Sequence, residues 1–430
     1  MEKIVIHGGV PLKGSIEVSG MKNAALPILM GCLLVEDKCI IENLPEIDDV
    51  SLSLKILRTM GLSIKTINRT TVEIDSTYAV GGSSPIDLVR KMRASYYLLG
   101  AELGRFGRAY VGYPGGCDFG VRPIDQHIKG FEALGAEVSV EGGYVEVVAK
   151  HGLTANNIFF DVITVGGTMN VMLAAVKANG TTVIENAARE PHIVDLANFL
   201  NTCGAKISGA GTDTIKIKGV EKLHGCTYAI IPDMIEAGTY MIAAAATKGS
   251  LKITNVIPKH LESITAKLEE MGVEVLDDDE SVTVSYVGPM NRINVKTMPY
   301  PGFPTDMQPQ MGVLLCLAEG VSCLSEGVYD NRFRYVEELK RMGAVVKVDG
   351  RTAVIEGVAK LSPAQIKAVD LRAGAAMVIA ALATSGVTEI EDIHHIERGY
   401  DDIVGKLRLV GADIKKIYYP DHHCSFSRAN

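Results

Sequence analysis

Leu339-Lys-Arg-Met-Gly343 is followed almost at once by Val345-Val-Lys-Val348, so a helical pattern ends in glycine and an alternating pattern begins. Gly343 suits the left-handed residue that ends a helix, because glycine has no Cβ to resist that conformation. The alternation of apolar and polar residues after it is typical of a half-buried strand. This helix–glycine–strand junction decides the fold, because it recurs along the chain.

The junction occurs six times, and its glycines follow one another at intervals of 68 to 74 residues. Such a constant period excludes chance and indicates an internal repeat. The six copies are Leu57-Arg-Thr-Met-Gly61, Phe131-Glu-Ala-Leu-Gly135, Leu200-Asn-Thr-Cys-Gly204, Leu268-Glu-Glu-Met-Gly272, Leu339-Lys-Arg-Met-Gly343 and Leu407-Arg-Leu-Val-Gly411.

A second, more apolar helix precedes each of these charged helices. It is rich in Ala, Leu, Met and Gly, so it is predicted to be buried at the centre, with the charged helices outside. Examples are the predicted helices 24–34, 168–178, 237–247, 307–318 and 373–385. The predicted α/β unit is strand, buried helix, strand, outer helix, strand, strand.

The two ends of the chain predict how six units form two domains. The sixth copy stops after Ala412-Asp-Ile-Lys-Lys416 without a convincing final strand, whereas the N-terminus has a spare strand at 3–7. We therefore expect residues 1 to about 21 to cross over and complete the last copy. The second crossover lies near 227–232. The predicted domains, of three repeats each, are 22–231 and 1–21 plus 232–430, with two direct strand connections as the hinge.

Composition narrows the classes of function. The 430-residue chain has a net charge of −8, no Trp and no run of Lys or Arg, which disfavours nucleic-acid binding. The N-terminus lacks the apolar core of a signal peptide, and no apolar stretch is long enough for a bilayer, so we expect a cytoplasmic protein without a membrane partner. The sequence also indicates no obligate protein partner.

No motif predicts a cofactor or a metal. None of the eight cysteines forms a C-x-x-C pair, and most fall in apolar patterns typical of reduced packing residues. His422, His423 and Cys424 are a conceivable metal group, but a frayed terminus is favoured. Nucleotide cofactors are disfavoured because the chain has neither a G-x-x-x-x-G-K-[ST] loop nor a Rossmann fingerprint.

The segment Tyr113-Pro-Gly-Gly-Cys-Asp-Phe-Gly-Val-Arg-Pro123 predicts a shaped loop. Cys117 lies five residues before Arg122, and a nearby guanidinium would favour the reactive thiolate. The alternative, a surface turn with an incidental thiol, has equal weight from the loop alone.

Charged and polar residues recur at the starts of the buried helices, which would converge on one cleft if the domains face each other. Helix N-termini attract anions, and several full charges add to this. Taken singly, each cation has an alternative as a solvated surface charge. The cations are Lys22, Arg93 and Arg372 at helix starts, with Arg122, Arg332 and Arg398 on loops. Together they favour a small, highly charged anionic substrate.

Asp306 lies in the first turn of a buried helix, after Pro304 and Thr305. It is either a stabilising carboxylate at a helix start or a general base for a hydroxyl. The positive end of the helix weakens it as a base unless substrate charge or desolvation compensates. The run Asp125-Gln126-His127 also offers acid–base groups, but no serine lies in a matching elbow, which disfavours a hydrolase triad.

From end to end, the sequence resembles the UDP-N-acetylglucosamine enolpyruvyl transferases (1-carboxyvinyltransferases). The resemblance implies two inside-out α/β barrels of three repeats each. It rests on Lys22-Asn23-Ala24-Ala25, Arg93-Ala94-Ser95, Pro114-Gly-Gly-Cys117 with Arg122-Pro123, Glu185-Asn-Ala-Ala-Arg-Glu190-Pro191, Phe303-Pro-Thr-Asp306-Met-Gln308, Asn331-Arg332-Phe333, Asp370-Leu-Arg372-Ala373 and Arg398-Gly399-Tyr400.

The resemblance implies that phosphoenolpyruvate donates its enolpyruvyl group to the 3-hydroxyl of UDP-N-acetylglucosamine. It implies that Cys117 is the general acid and that Asp306 takes the hydroxyl proton. Lys22, Arg122 and Arg398 would hold the phosphate, and Arg332 and Arg372 the donor carboxylate or the closed cleft. Other implied substrate contacts are Asn23, Arg93, Pro123, Ile124, Asp125, Gln126, Thr164, Val165, Gly166, Val328 and Asp370.

Two positions depart from the family pattern. Val162 stands where some members have Lys, and Met234 stands in a motif that commonly reads Pro-Asp-Arg-Ile-Glu. Three alternatives stay open. They are the sister enzyme that uses shikimate 3-phosphate, a paralogue that binds the UDP-sugar without turnover, and an RNA-end enzyme of similar repeats.

Overall fold

The structure is a computed structural model that describes residues 2–81, 86–113 and 123–419. Its strands, in chain order, are β1 Glu2–Gly8, β2 Lys13–Glu17, β3 Lys38–Glu42, β4 Ser63–Asn68, β5 Thr71–Asp75, β6 Arg108–Gly112, β7 Glu137–Glu141, β8 Tyr144–Val148, β9 Asn157–Phe159, β10 Thr181–Glu185, β11 Lys206–Ser208, β12 Thr214–Lys218, β13 Thr227–Ala229, β14 Ser250–Thr254, β15 Glu274–Asp277, β16 Ser281–Ser285, β17 Asn294–Lys296, β18 Val321–Ser325, β19 Val345–Asp349, β20 Thr352–Glu356, β21 Gln365–Lys367, β22 Gly386–Glu391 and β23 Asp413–Tyr418.

Its α-helices, in chain order, are α1 Lys22–Gly31, α2 Asp48–Thr59, α3 Ile86–Val89, α4 Tyr97–Phe106, α5 Asp125–Ala133, α6 Val165–Ala175, α7 Pro191–Thr202, α8 Met234–Ala246, α9 Glu262–Glu270, α10 Gln308–Leu315, α11 Val336–Arg341, α12 Leu371–Ala383, α13 His394–Glu397 and α14 Ile403–Leu409. Short 3₁₀ turns adjoin four of these helices, at Cys32–Leu34, Arg93–Tyr96, Pro258–Leu261 and Thr305–Met307. The predicted α/β class is confirmed. None of the described helices combines the length and apolar character that a membrane crossing needs.

Within the described residues, the strands form six small sheets with a common order. A parallel edge strand lies beside a second strand, and two antiparallel strands follow. The sheets are β13-β3-β5-β4, β6-β8-β7, β9-β10-β12-β11, β2-β14-β16-β15, β17-β18-β20-β19 and β21-β22-β1-β23. The sheet of β6, β7 and β8 has no parallel edge strand among the described residues.

The N-terminal strand β1 lies between β22 and β23, where Val5 pairs with both Glu389 and Lys415. The expected crossover into the last unit is therefore observed. The prediction was wrong for β2, which does not join the last unit but runs parallel to β14. In the same way, β13 runs parallel to β3. The first and fourth units begin without a strand of their own, and these two crossover strands supply it.

The glycine that ends each charged helix is left-handed in all six units. The φ angles of Gly61, Gly135, Gly204, Gly272, Gly343 and Gly411 lie between 86° and 99°. This confirms the predicted helix ends and places a strand directly after each outer helix.

The apolar helices are buried, as predicted. Every residue of α8 is buried, and α8, α10 and α12 pack against one another. Helix α4 packs against both α1 and α6. Helices α1, α6, α8 and α12 begin two or three residues before their predicted starts, and in α1 the polar Lys22 occupies the first turn. Helix α10 begins one residue after its predicted start, behind the 3₁₀ turn Thr305–Met307. The polar first turns face the site.

Candidate active site

A cleft of about 540 Å³ lies where six helix starts meet, a size typical of small-molecule sites. Each of the six buried-helix starts contributes to its wall. The contributing residues are Lys22 and Asn23, Arg93 and Ala94, Thr164 to Gly166, Met234 and Ile235, Pro304 to Asp306, and Leu371 and Arg372. The sequence predicted this convergence, and the structure places all six starts at one cavity.

One cluster of charge surrounds Asp49 at the start of α2. Lys22 Nζ lies 2.9 Å from Asp49 Oδ2, and Arg398 Nε lies 3.1 Å from Asp49 Oδ1. Lys22 and Asp49 are both buried. Two cations that line the cleft therefore share one carboxylate.

A second cluster surrounds Asp306. Its Oδ1 accepts a hydrogen bond of 2.8 Å from Arg332 Nη2, and its Oδ2 accepts one of 3.3 Å from Arg372 Nη2. Asn23 Nδ2 also donates to Oδ2 at 3.5 Å. Arg332 Nη1 donates to Thr305 Oγ1 at 2.9 Å, which ties the guanidinium to the same turn. Asp306 is thus held by two buried arginines and the amide beside Lys22.

Burial and neighbouring charge act in opposite directions on these groups. Burial lowers the pKa of Lys22, and the charges of Arg372 and Arg398 add to this while Asp49 opposes it. Burial would raise the pKa of Asp49, but Lys22 and Arg398 hold it below its usual value. Burial opposes the charge of Arg372, yet Tyr400 and Asp306 raise its pKa. Burial therefore disfavours the charge of Lys22, whereas Asp306 helps to keep Arg372 charged in a poorly solvated place.

The structure brings most of the predicted residues to the cleft. The lining includes Lys22, Asn23, Arg93, Pro123, Thr164, Val165, Gly166, Asp306, Val328, Arg332, Arg372 and Arg398. Cys117 and Arg122 lie outside the described residues, so their place is not tested.

Four predicted residues do not line the cleft. Ile124 is buried. Gln126 Nε2 donates to Asp161 Oδ2 at 3.1 Å and to Asp125 Oδ2 at 3.0 Å, which fixes the start of α5. Asp370 caps α12 by accepting from the backbone of Arg372 and Ala373. Asp370 therefore positions Arg372 through the backbone, and the side chains of Gln126 and Asp370 are already engaged within the protein.

Sequence reasoning missed Asp49 and gave Glu190 no role. Asp49 sits beside Asp48 in the first turn of α2, which is an ordinary place for a carboxylate. Glu190 Oε1 accepts a hydrogen bond of 3.2 Å from the backbone of Tyr300, and both residues line the cleft. The only early signal for Glu190 was its place in the quoted Glu185–Pro191 motif.

The two residues that depart from the family pattern, Val162 and Met234, differ in their exposure to solvent. Val162 is 59% exposed, whereas Met234 is buried and lines the cleft at the start of α8. An apolar side chain therefore stands in the wall of the cleft where the common pattern has a cation.

Comparisons with known proteins agree over nearly the whole chain. A family model described as EPSP synthase (3-phosphoshikimate 1-carboxyvinyltransferase) matches residues 6–407. The chain is 55% identical over 417 residues to UDP-N-acetylglucosamine 1-carboxyvinyltransferase 3 of Caldanaerobacter subterraneus, covering 97% of this chain and 100% of that protein. It is 56% identical over 418 residues to UDP-N-acetylglucosamine 1-carboxyvinyltransferase of Clostridium botulinum, covering 97% and 100%.

A solved structure shows the same fold. The enolpyruvyl transferase NikO from Streptomyces tendae superposes with a TM-score of 0.88 at 28% identity, and the match covers 97% of this chain and 99% of that one.

Proposed function

The chain belongs to the EPSP synthase family, within which it groups with the UDP-N-acetylglucosamine 1-carboxyvinyltransferases, and on this premise we propose its reaction. It transfers the enolpyruvyl group of phosphoenolpyruvate to the 3-hydroxyl of UDP-N-acetylglucosamine and releases inorganic phosphate. This reaction is the first committed step of peptidoglycan synthesis. The cytoplasmic location expected from the sequence stays a prediction.

The observation that carries the proposal is the pair of carboxylate-centred cation clusters in one cleft. The donor also has two anionic ends, a phosphate and a carboxylate. Lys22 and Arg398 around Asp49 offer one binding place, and Arg332 and Arg372 around Asp306 offer the other. A protein of net charge −8 that gathers cations in this way suits a small polyanion.

The reaction is an addition followed by an elimination. The sugar hydroxyl oxygen bonds to C2 of the donor while its proton passes to Asp306, and Cys117 protonates the C3 methylene. The C3 carbon then loses a proton, the C2–oxygen bond to phosphate breaks, and the double bond is restored in the product. Acid and base act on different atoms, so the two groups belong on opposite sides of the reacting carbons.

Asp306 becomes available as a base when the donor binds. In the structure its two oxygens are engaged by Arg332 and Arg372. The donor carboxylate competes for the same guanidinium groups, which are suited to bidentate carboxylate binding. A lone pair of Asp306 is then released toward the acceptor hydroxyl, so donor binding activates the base.

In the proposal, the acceptor lies beside the donor and Asp306. Asn23 adjoins both Lys22 and Asp306, and Arg93, Thr164 and Val328 line the rest of the cleft. The Arg93 guanidinium lies 5.7 Å from the ring centroid of Tyr96. We assign these residues to the UDP-sugar.

The test is phosphate release from phosphoenolpyruvate with each of two acceptors. We expect release with UDP-N-acetylglucosamine, none with shikimate 3-phosphate, and a loss of at least about 100-fold in Asp306→Asn and in Cys117→Ala. Release only with shikimate 3-phosphate would assign the sister activity instead. Tight UDP-sugar binding without release would favour the non-catalytic paralogue.

A further inference from the structure

Three of the eight cysteines come together in the fold, although Cys39 is far from the other two in the sequence. The sulfurs of Cys39, Cys203 and Cys226 all lie within 4.8 Å of one another. Those of Cys203 and Cys226 are 3.4 Å apart. We call these three residues the cysteine cluster.

The backbone around the cysteine cluster is fixed by hydrogen bonds. Cys39 lies on β3, Cys226 directly precedes β13, and Cys203 directly follows α7. Ile40 N donates to Cys226 O at 2.8 Å, and His224 N donates to Cys203 O at 2.8 Å. The three sulfurs are therefore held by elements that are already paired, and little reorganisation is needed to use them as a set.

The burial of the sulfurs, together with solvent access at one of them, favours a ligand-binding site. Cys39 and Cys203 are buried, whereas Cys226 is partly exposed. A small ion can therefore enter at Cys226 and be bound by sulfurs that water does not reach. None of the described residues that line the cleft is a cysteine, so this place is separate from the proposed reaction.

The chemistry of the cysteine cluster favours a soft metal ion over simple packing. The sulfurs of Cys39, Cys203 and Cys226 lie within 4.8 Å of one another, so one ion can contact all three. Thiolates select ions such as Zn²⁺ and Cu⁺. Tetrahedral zinc has zinc–sulfur bonds of about 2.3 Å, which puts neighbouring sulfurs roughly 3.8 Å apart. The observed spacing needs only small side-chain adjustments to reach this value.

We propose that the cysteine cluster binds one thiophilic d¹⁰ metal ion through Cys39, Cys203 and Cys226. Binding displaces thiol protons to solvent and forms metal–sulfur bonds without any change of oxidation state. The ion ties the end of α7 to β3 and β13, and it stabilises the folded chain in proportion to its affinity.

The experiment is an anaerobic titration of the full-length protein with Co²⁺, followed by displacement with Zn²⁺ and, separately, with Cu⁺. We expect about one equivalent of Co²⁺ with a thiolate-to-cobalt charge-transfer band. The ion that displaces Co²⁺ at the lower concentration identifies the preferred metal. We expect Cys203→Ser and Cys226→Ser each to lose at least about tenfold in affinity.

Two matched controls separate the cluster from other thiols. Cys323→Ser removes a partly exposed cysteine outside the cluster, and Cys424→Ser removes the thiol of the His422-His423-Cys424 tail. Both are expected to keep the band.

Several results would overturn the proposal. They are no charge-transfer band in the unaltered protein, a band that survives both Cys203→Ser and Cys226→Ser, or a band that disappears with Cys424→Ser. Because the unaltered protein alone can give the first result, the test stands even where a variant fails to fold. A peroxide-driven Cys203–Cys226 disulfide that forms equally fast with and without saturating Zn²⁺ would also contradict it.

Discussion

Asp49 balances the charge at one end of the cleft, because it is the carboxylate that Lys22 and Arg398 share. It is 3% exposed, so water screens the three charges poorly. A phosphate that binds Lys22 and Arg398 has to compete with Asp49 for them. The carboxylate therefore stabilises the free protein and weakens phosphate binding at the same time.

Replacing Asp49→Asn separates these two effects. We expect the free energy of unfolding to fall by about 3–5 kcal/mol, because the buried Lys22 loses its carboxylate partner. We also expect inorganic phosphate to raise the Tm of the variant more than that of the unaltered protein, since the competing anion is gone. Thermal unfolding with and without phosphate measures both.

Asp48→Asn is the matched control, because Asp48 is the neighbouring residue and is exposed. It is expected to change neither quantity noticeably. Equal phosphate-induced shifts in Asp49→Asn and in the unaltered protein would show that Asp49 does not compete for the phosphate site.

His127 gives a pH dependence at the residue scale. Burial, helped by the positive charge of Arg93, lowers the pKa of His127 to about 3. Its Nδ1 accepts a hydrogen bond of 3.0 Å from Asn170 Nδ2, which requires the neutral ring. The unfolded chain binds a proton below about pH 6.5, whereas the folded chain does not. Stability from this residue is therefore complete above about pH 6.5 and is lost as the pH falls toward 3.

Between pH 6.5 and 5, we expect this residue to remove about 2 kcal/mol from the free energy of unfolding. His127→Asn keeps an acceptor for Asn170 but does not titrate, so the variant lacks this part of the slope. Urea unfolding at a series of pH values measures it. The exposed His151→Asn is the control, and an identical slope in all three proteins would refute the assignment.

At the scale of single elements, the contact between α4 and α6 depends on the absence of a side chain. Gly100 N donates to Asn170 Oδ1 at 2.7 Å. A Cβ on Gly100 would lie 2.2 Å from the backbone oxygen of Asn170, so the helices would have to separate. We expect Gly100→Ala to lower the free energy of unfolding by about 3 kcal/mol in urea denaturation.

Gly288→Ala is the control, since a Cβ there would meet no atom within 4 Å. It is expected to change stability by less than about 0.5 kcal/mol. Similar values for the two variants would mean that α4 and α6 can separate without loss.

Local patterns predicted the elements, and long-range pairing had to be observed. The six left-handed glycines were predictable because a helix end is determined by neighbouring residues. The start of α1 was placed late because a search for apolar residues passes over a polar first turn such as that of Lys22. Local sequence patterns do not determine which distant residues form an ion pair. Asp49 and Arg398 are 349 residues apart, so nothing in either neighbourhood links them. Separation in the sequence also concealed the cysteine cluster, because Cys39 lies far from Cys203 and Cys226.

Six cations were predicted as a set, because each lies at a repeated place or in a recognisable motif, and the five among the described residues line the cleft. The sequence could not predict which carboxylates neutralise these cations. Asp306 was interpreted as either a helix-start carboxylate or a base, and the structure shows it between Arg332 and Arg372. Its availability as a base then depends on what the donor displaces. Asp306, Arg332 and Arg372 lie in three separate segments of the chain, so no single segment could predict whether Asp306 is available as a base.

At the scale of the whole molecule, the sheets divide into two sets. The strands of three sheets all come from 22–231, and those of the other three come from 1–21 and 232–430. At the boundary, Gly20 forms an isolated bridge with Pro232, and Met21 N donates to Ile231 O at 2.8 Å. No described strand ladder crosses the boundary. The two-domain division stays a prediction, and this separation of ladders supports it.

The division can be tested by expressing 22–231 alone. We expect this fragment to fold cooperatively, because it contains every strand of its three sheets, including β13, which closes the set against β3. Asp195 on α7 also binds that strand, since its Oδ1 accepts from Tyr228 Oη at 2.5 Å. A fragment of 22–220 loses both interactions and serves as the comparison. We expect it to unfold at a lower urea concentration than 22–231, because β3 is left with one exposed edge. An unfolded 22–231 fragment would mean instead that the first three units depend on the rest of the chain, and that the cleft lies within a single cooperative body.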